Sequence, residues 1–344
     1  MANGKHIGIL TAGGDCQGLN AALRGVTLSA LKEGWKVTGI NDGFVGLAEM
    51  AHTPLTFEDV YQIAGTGGTI LGTGRGGGRA RNTEEAVANC VESFKKLELD
   101  ALVCLGGDGT QRFASYLHQA GIPVVTLPKT IDNDIAKTDV TFGYDTAVHV
   151  SVMALDRLRT TADSHHRLMI LEVMGRDAGW LAAGAALGGS ADICLIPEMP
   201  YSMESLVKYI NKHIYNKRSA LLVIAEGAVS EENHALGLKP KKHAEAIKIV
   251  DAIPELTGMQ ARLTTLGYVS RGGVPTASDR IFATQCGTKA IELIKKSQYG
   301  VMVAQQNGKL TSVPIEEVAG KPRLLPRNHS LIKTMLDTGV CMGI

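Results

Sequence analysis

The chain of 344 residues suffices for two domains or one large one, with a substantial buried core. Its 35 basic and 34 acidic side chains leave a formal net charge of +1, so charge gives no reason to expect nucleic acid or a membrane as partner. The six cysteines are scattered without a CxxC pair, and no apolar run approaches the roughly 20 residues that span a bilayer; the expectation is a soluble cytoplasmic protein with reduced thiols.

Forty glycines exceed the usual share of about 7% and cluster after apolar runs, where phosphate-cradling turns belong. In chain order, His6–Leu10 reads as a first strand, the loop containing Gly13 and Gly14 follows, and a helix is expected over Gly18–Glu33. The loop is not a Walker A loop, because no Gly-Lys-Ser/Thr follows it. After a second strand, Lys36–Ile40, comes a glycine loop carrying Arg75, Arg79 and Arg81, with Arg75 the first choice for neutralising a transferred anionic group.

A helix over Thr83–Leu97 precedes the strand Ala101–Leu105, which runs into Gly106-Gly107-Asp108-Gly109-Thr110. There Gly107 and Gly109 permit close backbone approach, Asp108 suits a magnesium ion, and Thr110 suits a phosphate oxygen. The next strand, Val124–Leu127, leads into Pro128-Lys129-Thr130-Ile131-Asp132-Asn133-Asp134. Asp132 is the candidate base toward an acceptor hydroxyl, and Asp134 shares metal or hydrogen-bonding duties. Two buried strands ending side by side would bring both loops to one sheet edge, the place for phosphoryl transfer from a polyphosphate to a hydroxyl.

Beyond a hinge expected near Phe142–Tyr144, helices are expected over Asp145–Ala162, Met203–Lys217 and Gly287–Ser297. Strands are expected over Arg167–Val173, Ile193–Ile196, Ala220–Ala225 and Leu263–Gly267, with a surface loop at Glu231–His243. Arg167, Arg176, Arg262 and Arg271 have the setting of anion ligands, since arginine pairs bidentately with phosphate. With Glu226 at the end of its strand, they suggest a phosphorylated, hydroxyl-rich substrate. Alternation of strands and helices predicts an α/β protein of two lobes, each a mostly parallel sheet flanked by helices, with the active site in the interdomain cleft. The expected lobes are 1–142 with about 270–318 for the donor, and 143–269 with about 319–344 for the acceptor.

Taken together, these motifs resemble the 6-phosphofructokinase family, in order and over nearly the whole chain. The resemblance implies transfer to the 1-hydroxyl of fructose 6-phosphate, with magnesium and either ATP or pyrophosphate. By motif, Gly14, Arg75, Asp108 and Gly109 match the donor and metal site, beside Gly107 and Thr110. Lys129, Thr130, Asp132 and Asp134 match the catalytic loop, and Arg176 a residue that supports the moving phosphoryl group. Met174, Gly175, Glu226, Tyr268 and Arg271 match the sugar-phosphate site, with Arg167 and Arg262 expected from a neighbouring subunit of a homodimer or homotetramer. Gly109 favours ATP, because the family's pyrophosphate enzymes carry aspartate there; Lys129 points toward pyrophosphate, which stays as the alternative donor. Phe113 and Phe44 replace residues near the nucleotide base and are expected to narrow its pocket. A kinase of another sugar phosphate or a catalytically inactive regulatory subunit ranks lower, the latter because Asp108 and Asp132 are both present.

Overall fold

A computed structural model describes residues 4–74, 83–214, 218–238 and 243–344. Arg75, Arg79 and Arg81 of the glycine loop lie outside the described residues, as do the end of the expected helix Met203–Lys217 and part of the surface loop Glu231–His243. Among the described residues the strands are β1 (His6–Thr11), β2 (Lys36–Ile40), β3 (His52–Pro54), β4 (Ala101–Gly106), β5 (Val124–Thr130), β6 (Phe142–Gly143), β7 (Leu168–Val173), β8 (Ile193–Leu195), β9 (Ala220–Ala225), β10 (Ala261–Thr265), β11 (Val301–Gln306) and β12 (Lys309–Pro314). The chain divides into two compact units: 1–131 with 135–145 and 271–323, and 132–134 with 146–270 and 324–344.

The first unit is built on a sheet in the order β12-β11-β5-β4-β1-β2-β3, with β6 paired to β5. Its centre is parallel, and every residue of β4 and β5 is buried, as strands covered by helices on both faces must be. The register sets Thr11 of β1 beside Leu105 of β4, and Gly106 of β4 beside Pro128 of β5, so three strand ends open onto one edge. One side is filled by Leu10, Phe44, Cys104, Phe113 and Leu117.

The two outer pairs of this sheet, β2 with β3 and β11 with β12, are antiparallel. The second is a hairpin turning at Asn307-Gly308, both in the left-handed conformation.

The second unit carries a four-stranded parallel sheet in the order β10-β7-β9-β8. Leu168, Ile170, Leu222 and Ile224 pack on Ile249 and Ile253 of the helix Ala244–Thr257. The resulting pattern is the expected α/β one, with mostly parallel sheets. No described helix is long and apolar enough to cross a membrane.

Several boundaries differ from sequence expectation. The helix expected at Gly287–Ser297 begins at Ala277, because Thr276 caps it by accepting from the Asp279 N–H at 3.3 Å. At the expected hinge, Phe142 and Gly143 lie in register with Lys129 and Thr130, the Gly143 N–H donates to buried Asp279 at 2.9 Å, and the chain passes into the second unit just beyond, after Asp145. The helix after Met203 is α-helical only to Tyr209 and continues as a π turn over Ile210–Ile214. A short helix, Glu231–Ala235, stands inside the expected surface loop.

Candidate active site

In the first unit the backbone of the loop after β1 is held by both backbone and side-chain hydrogen bonds. The Ala12 N–H donates to Leu105 at 2.9 Å, and the Gly13 N–H to Gly74 at 3.1 Å. The Thr73 hydroxyl donates to the Gly13 carbonyl at 2.7 Å, and the Thr110 hydroxyl to that of Ala12 at 3.3 Å. Gly13 has φ 84°, a left-handed conformation that favours glycine. Gly14 is closely packed for a different reason: an added Cβ would overlap the guanidinium of Arg271, which would have to move. Buried Lys129 donates from Nζ to the Gly14 carbonyl. Gly14, Lys129 and Arg271 therefore converge, although sequence motifs divide them between donor and acceptor.

Asp108 is the first residue of the helix Asp108–Gln119, where the helix dipole favours a carboxylate. Its Oδ1 accepts from the Gly320 N–H at 2.7 Å and its Oδ2 from Arg112 Nη2 at 2.8 Å. Open space surrounds the Cα of Gly109: a Cβ there would meet nothing within 4 Å. Gln111, which no motif singled out, staples the ends of β4 and β5. Its Nε2 donates to Gly106 at 3.0 Å and to Leu127 at 3.3 Å, while its Oε1 accepts from Thr126 at 2.5 Å. Phe113 is 1% exposed and stacks on Phe44 with ring centroids 4.6 Å apart. Both rings fill the core, so the expectation that Phe113 narrows the pocket of the nucleotide base is corrected; its bulk is spent on packing beneath the sheet.

At the end of β5, Thr130 is buried and its carbonyl accepts from the Thr141 hydroxyl at 2.8 Å. Asp132, Asn133 and Asp134 follow and are buried too, with Asn133 left-handed at φ 52°. Two buried carboxylates in three residues are costly unless supported, and such groups concentrate at functional sites.

The second unit assembles its own group at the ends of β7 and β9, where Val173 and Ala225 lie side by side. Gly175 at φ 143° and Arg176 at φ 53° turn the chain sharply after Met174. The Arg176 N–H then donates to Glu226 Oε1 at 3.1 Å, and the Glu226 N–H donates to Val173 at 2.9 Å. Tyr268, just beyond β10, is 64% exposed. Buried Glu172 on β7 steadies that neighbourhood: its carboxylate pairs with His243 and accepts from the Thr265 hydroxyl at 3.1 Å, and its carbonyl accepts from the Leu266 N–H at 3.1 Å. Arg167 and Arg262 stand apart from this group. Arg167 directly precedes β7 and Arg262 lies beside Met169, at the start of the strands whose other ends carry Arg176 and Glu226. Six residues at about 3.3 Å each separate the two edges by roughly 20 Å.

The phosphofructokinase sequence profile matches residues 6–294. The chain belongs to the phosphofructokinase family. It is 43% identical to an ATP-dependent 6-phosphofructokinase of Spirochaeta thermophila, over 98% of each chain. It is 40% identical to a pyrophosphate–fructose 6-phosphate 1-phosphotransferase of Amycolatopsis methanolica, over 93% of this chain and 96% of the other. Among solved structures, Pichia pastoris phosphofructokinase in the T-state superposes with a TM-score of 0.84 at 30% identity, covering 93% of this chain and 36% of that longer one.

Proposed function

We propose that this phosphofructokinase uses ATP to phosphorylate the 1-hydroxyl of fructose 6-phosphate, giving fructose 1,6-bisphosphate. The observation that carries the reading is the side-by-side ending of β4 and β5, which sets Asp108–Thr110 next to the start of the run from Lys129 to Asp134. The residues fit a magnesium ion. Asp108 offers a hard, largely buried oxygen donor, and a site with one carboxylate suits a cation that keeps waters and leans on phosphate oxygens. When bound, the ion would neutralise charge on the donor phosphates.

The chain's own residues do the rest. The loop around Gly13 and Gly14 and the turn through Gly107 present backbone to the phosphates, and Lys129 and Arg75 supply positive charge. Asp132 accepts the proton of the attacking hydroxyl. Thr130 and Asp134 position that group, and Arg176 supports the moving phosphoryl group. Met174, Gly175, Glu226, Tyr268 and Arg271 receive the sugar phosphate. Arg167 and Arg262, at the far edge of their sheet, serve a neighbouring subunit, which makes the enzyme a homo-oligomer, dimer or tetramer.

ATP as donor is supported by the lack of a side chain at Gly109, at a position facing open space, and by the relative named for ATP. Pyrophosphate remains the second reading because Lys129 is buried against the Gly14 loop, and because a relative 40% identical over 93% of this chain is named for pyrophosphate. Asp132→Asn tests the assigned chemistry. Turnover should fall by about 10²–10⁴-fold, with fructose 6-phosphate binding retained by calorimetry. Wild-type turnover in this variant would refute the base.

A further inference from the structure

This inference rests on the reading of Asp108 as the metal carboxylate. Both of its oxygens are engaged inside the first unit, and the two partners differ in kind. The donor to Oδ1 is the backbone of Gly320. It lies in a turn anchored by fully buried Ile315, whose carbonyl accepts from the Ala319 N–H at 2.9 Å. That donor cannot withdraw without unseating the turn.

The donor to Oδ2 is Arg112, one helical turn along from Asp108. Its side chain is 51% exposed, against 18% for Asp108. The stem runs close to the Gly320 turn, where a Cβ on Gly320 would come within 3.8 Å of Arg112 Nε. A guanidinium and a divalent cation cannot both sit on one carboxylate oxygen without strong like-charge repulsion. Of the two partners, only the exposed side chain is free to move.

We propose that Arg112 is an exchangeable clamp on the metal carboxylate. It occupies Asp108 Oδ2 in the donor-free enzyme and yields that oxygen to a divalent cation, thereby setting the cation concentration at which the donor site loads. Arg112 acts through Asp108 and is a positioning residue. A pair four residues apart on a helix whose cationic partner is 51% exposed is weak enough to exchange at ordinary cation concentrations, which a fully buried pair would not be.

The test is a titration of the full-length enzyme with Mn²⁺ alone, read by the electron paramagnetic resonance signal of free Mn²⁺. Arg112→Met should bind Mn²⁺ about two- to fivefold more tightly than wild type. Arg112→Lys keeps the charge but loses the planar fork, and should fall between the two. Equal or weaker binding by Arg112→Met overturns the clamp. So does Arg112→Lys matching wild type while Arg112→Met binds tighter, because that pattern reports net charge and not direct exchange. Asp108→Asn separates the clamp from the reading beneath it: it should abolish the Mn²⁺ binding, and retained binding would overturn Asp108 as the metal ligand.

Discussion

The two units each gather polar residues at the ends of parallel strands, but they do so differently. In the first unit the edge formed by β1, β4 and β5 is held in advance. Thr73, Thr110 and Lys129 are tied to the loop of Gly13 and Gly14, and Gln111 joins the strand ends. In the second unit Arg176 and Tyr268 are exposed, and Arg167 and Arg262 lie at the opposite edge from Glu226. A polyphosphate needs a rigid cradle of backbone donors, and one chain can build that by folding. The acceptor residues that the second unit carries are, by contrast, split between two edges of its sheet, and Arg271 belongs to the first unit, so no single edge presents the whole set.

The strongest way to break this contrast is through the distant arginines. Arg262→Ala should raise the KM for fructose 6-phosphate by about 10²-fold, the loss expected for a charged phosphate contact, with the KM for the donor little changed. Hybrids of Arg262→Ala and Asp132→Asn subunits should recover activity, since one site in each hybrid then has its own base and an intact neighbour's arginine. Hybrids that native mass spectrometry confirms, yet remain inactive, would contradict sharing.

A second experiment addresses a place where the two residue sets meet. Gly14→Ala places a Cβ where the Arg271 guanidinium lies, so a substitution in the donor loop should weaken the sugar phosphate, by about tenfold in KM. An effect confined to the donor KM would show that Arg271 relocates without loss.

Alkali should separate the units more gently. Burial holds the thiols of Cys16 and Cys90 up to about 12, and pushes Cys104, Cys194 and Cys286 up as well. Because these folded-state values are raised, the stability they confer is fully present below about pH 9 and lost as pH rises toward 12. Each thiol costs about 1 kcal/mol between pH 9 and 10. Cys341 is raised by burial too, so four of the six lie in the first unit and two in the second, and Trp35 should report unfolding at lower pH than Trp180, in single-tryptophan variants followed by fluorescence. Loss of the Trp180 environment first would contradict this.

The donor edge was legible in the sequence because its signals are local. An apolar run, then glycines, then Asp108 or Lys129 through Asp134, is a strand end with its chemistry attached. The helix Asp108–Gln119 was masked by Gly109, although Phe113, Ala114 and Leu117 carry its buried face. The β11–β12 hairpin was missed, although Asn307-Gly308 between Val301–Gln306 and Lys309–Pro314 is a two-residue hairpin signal. Other features were not legible. The contact of Gly14 with Arg271, the core position of Phe113 and the grip of Gly320 on Asp108 join residues far apart in the chain, and only packing brings them together.

The measurement that tests the account most directly is a pair of initial rates with fructose 6-phosphate and Mg²⁺, one with ATP and one with pyrophosphate. A clear ATP preference is predicted, from the open space at Gly109, with Lys129 serving the Gly14 loop. A clear pyrophosphate preference would contradict the assignment of the donor and place Lys129 in control of it.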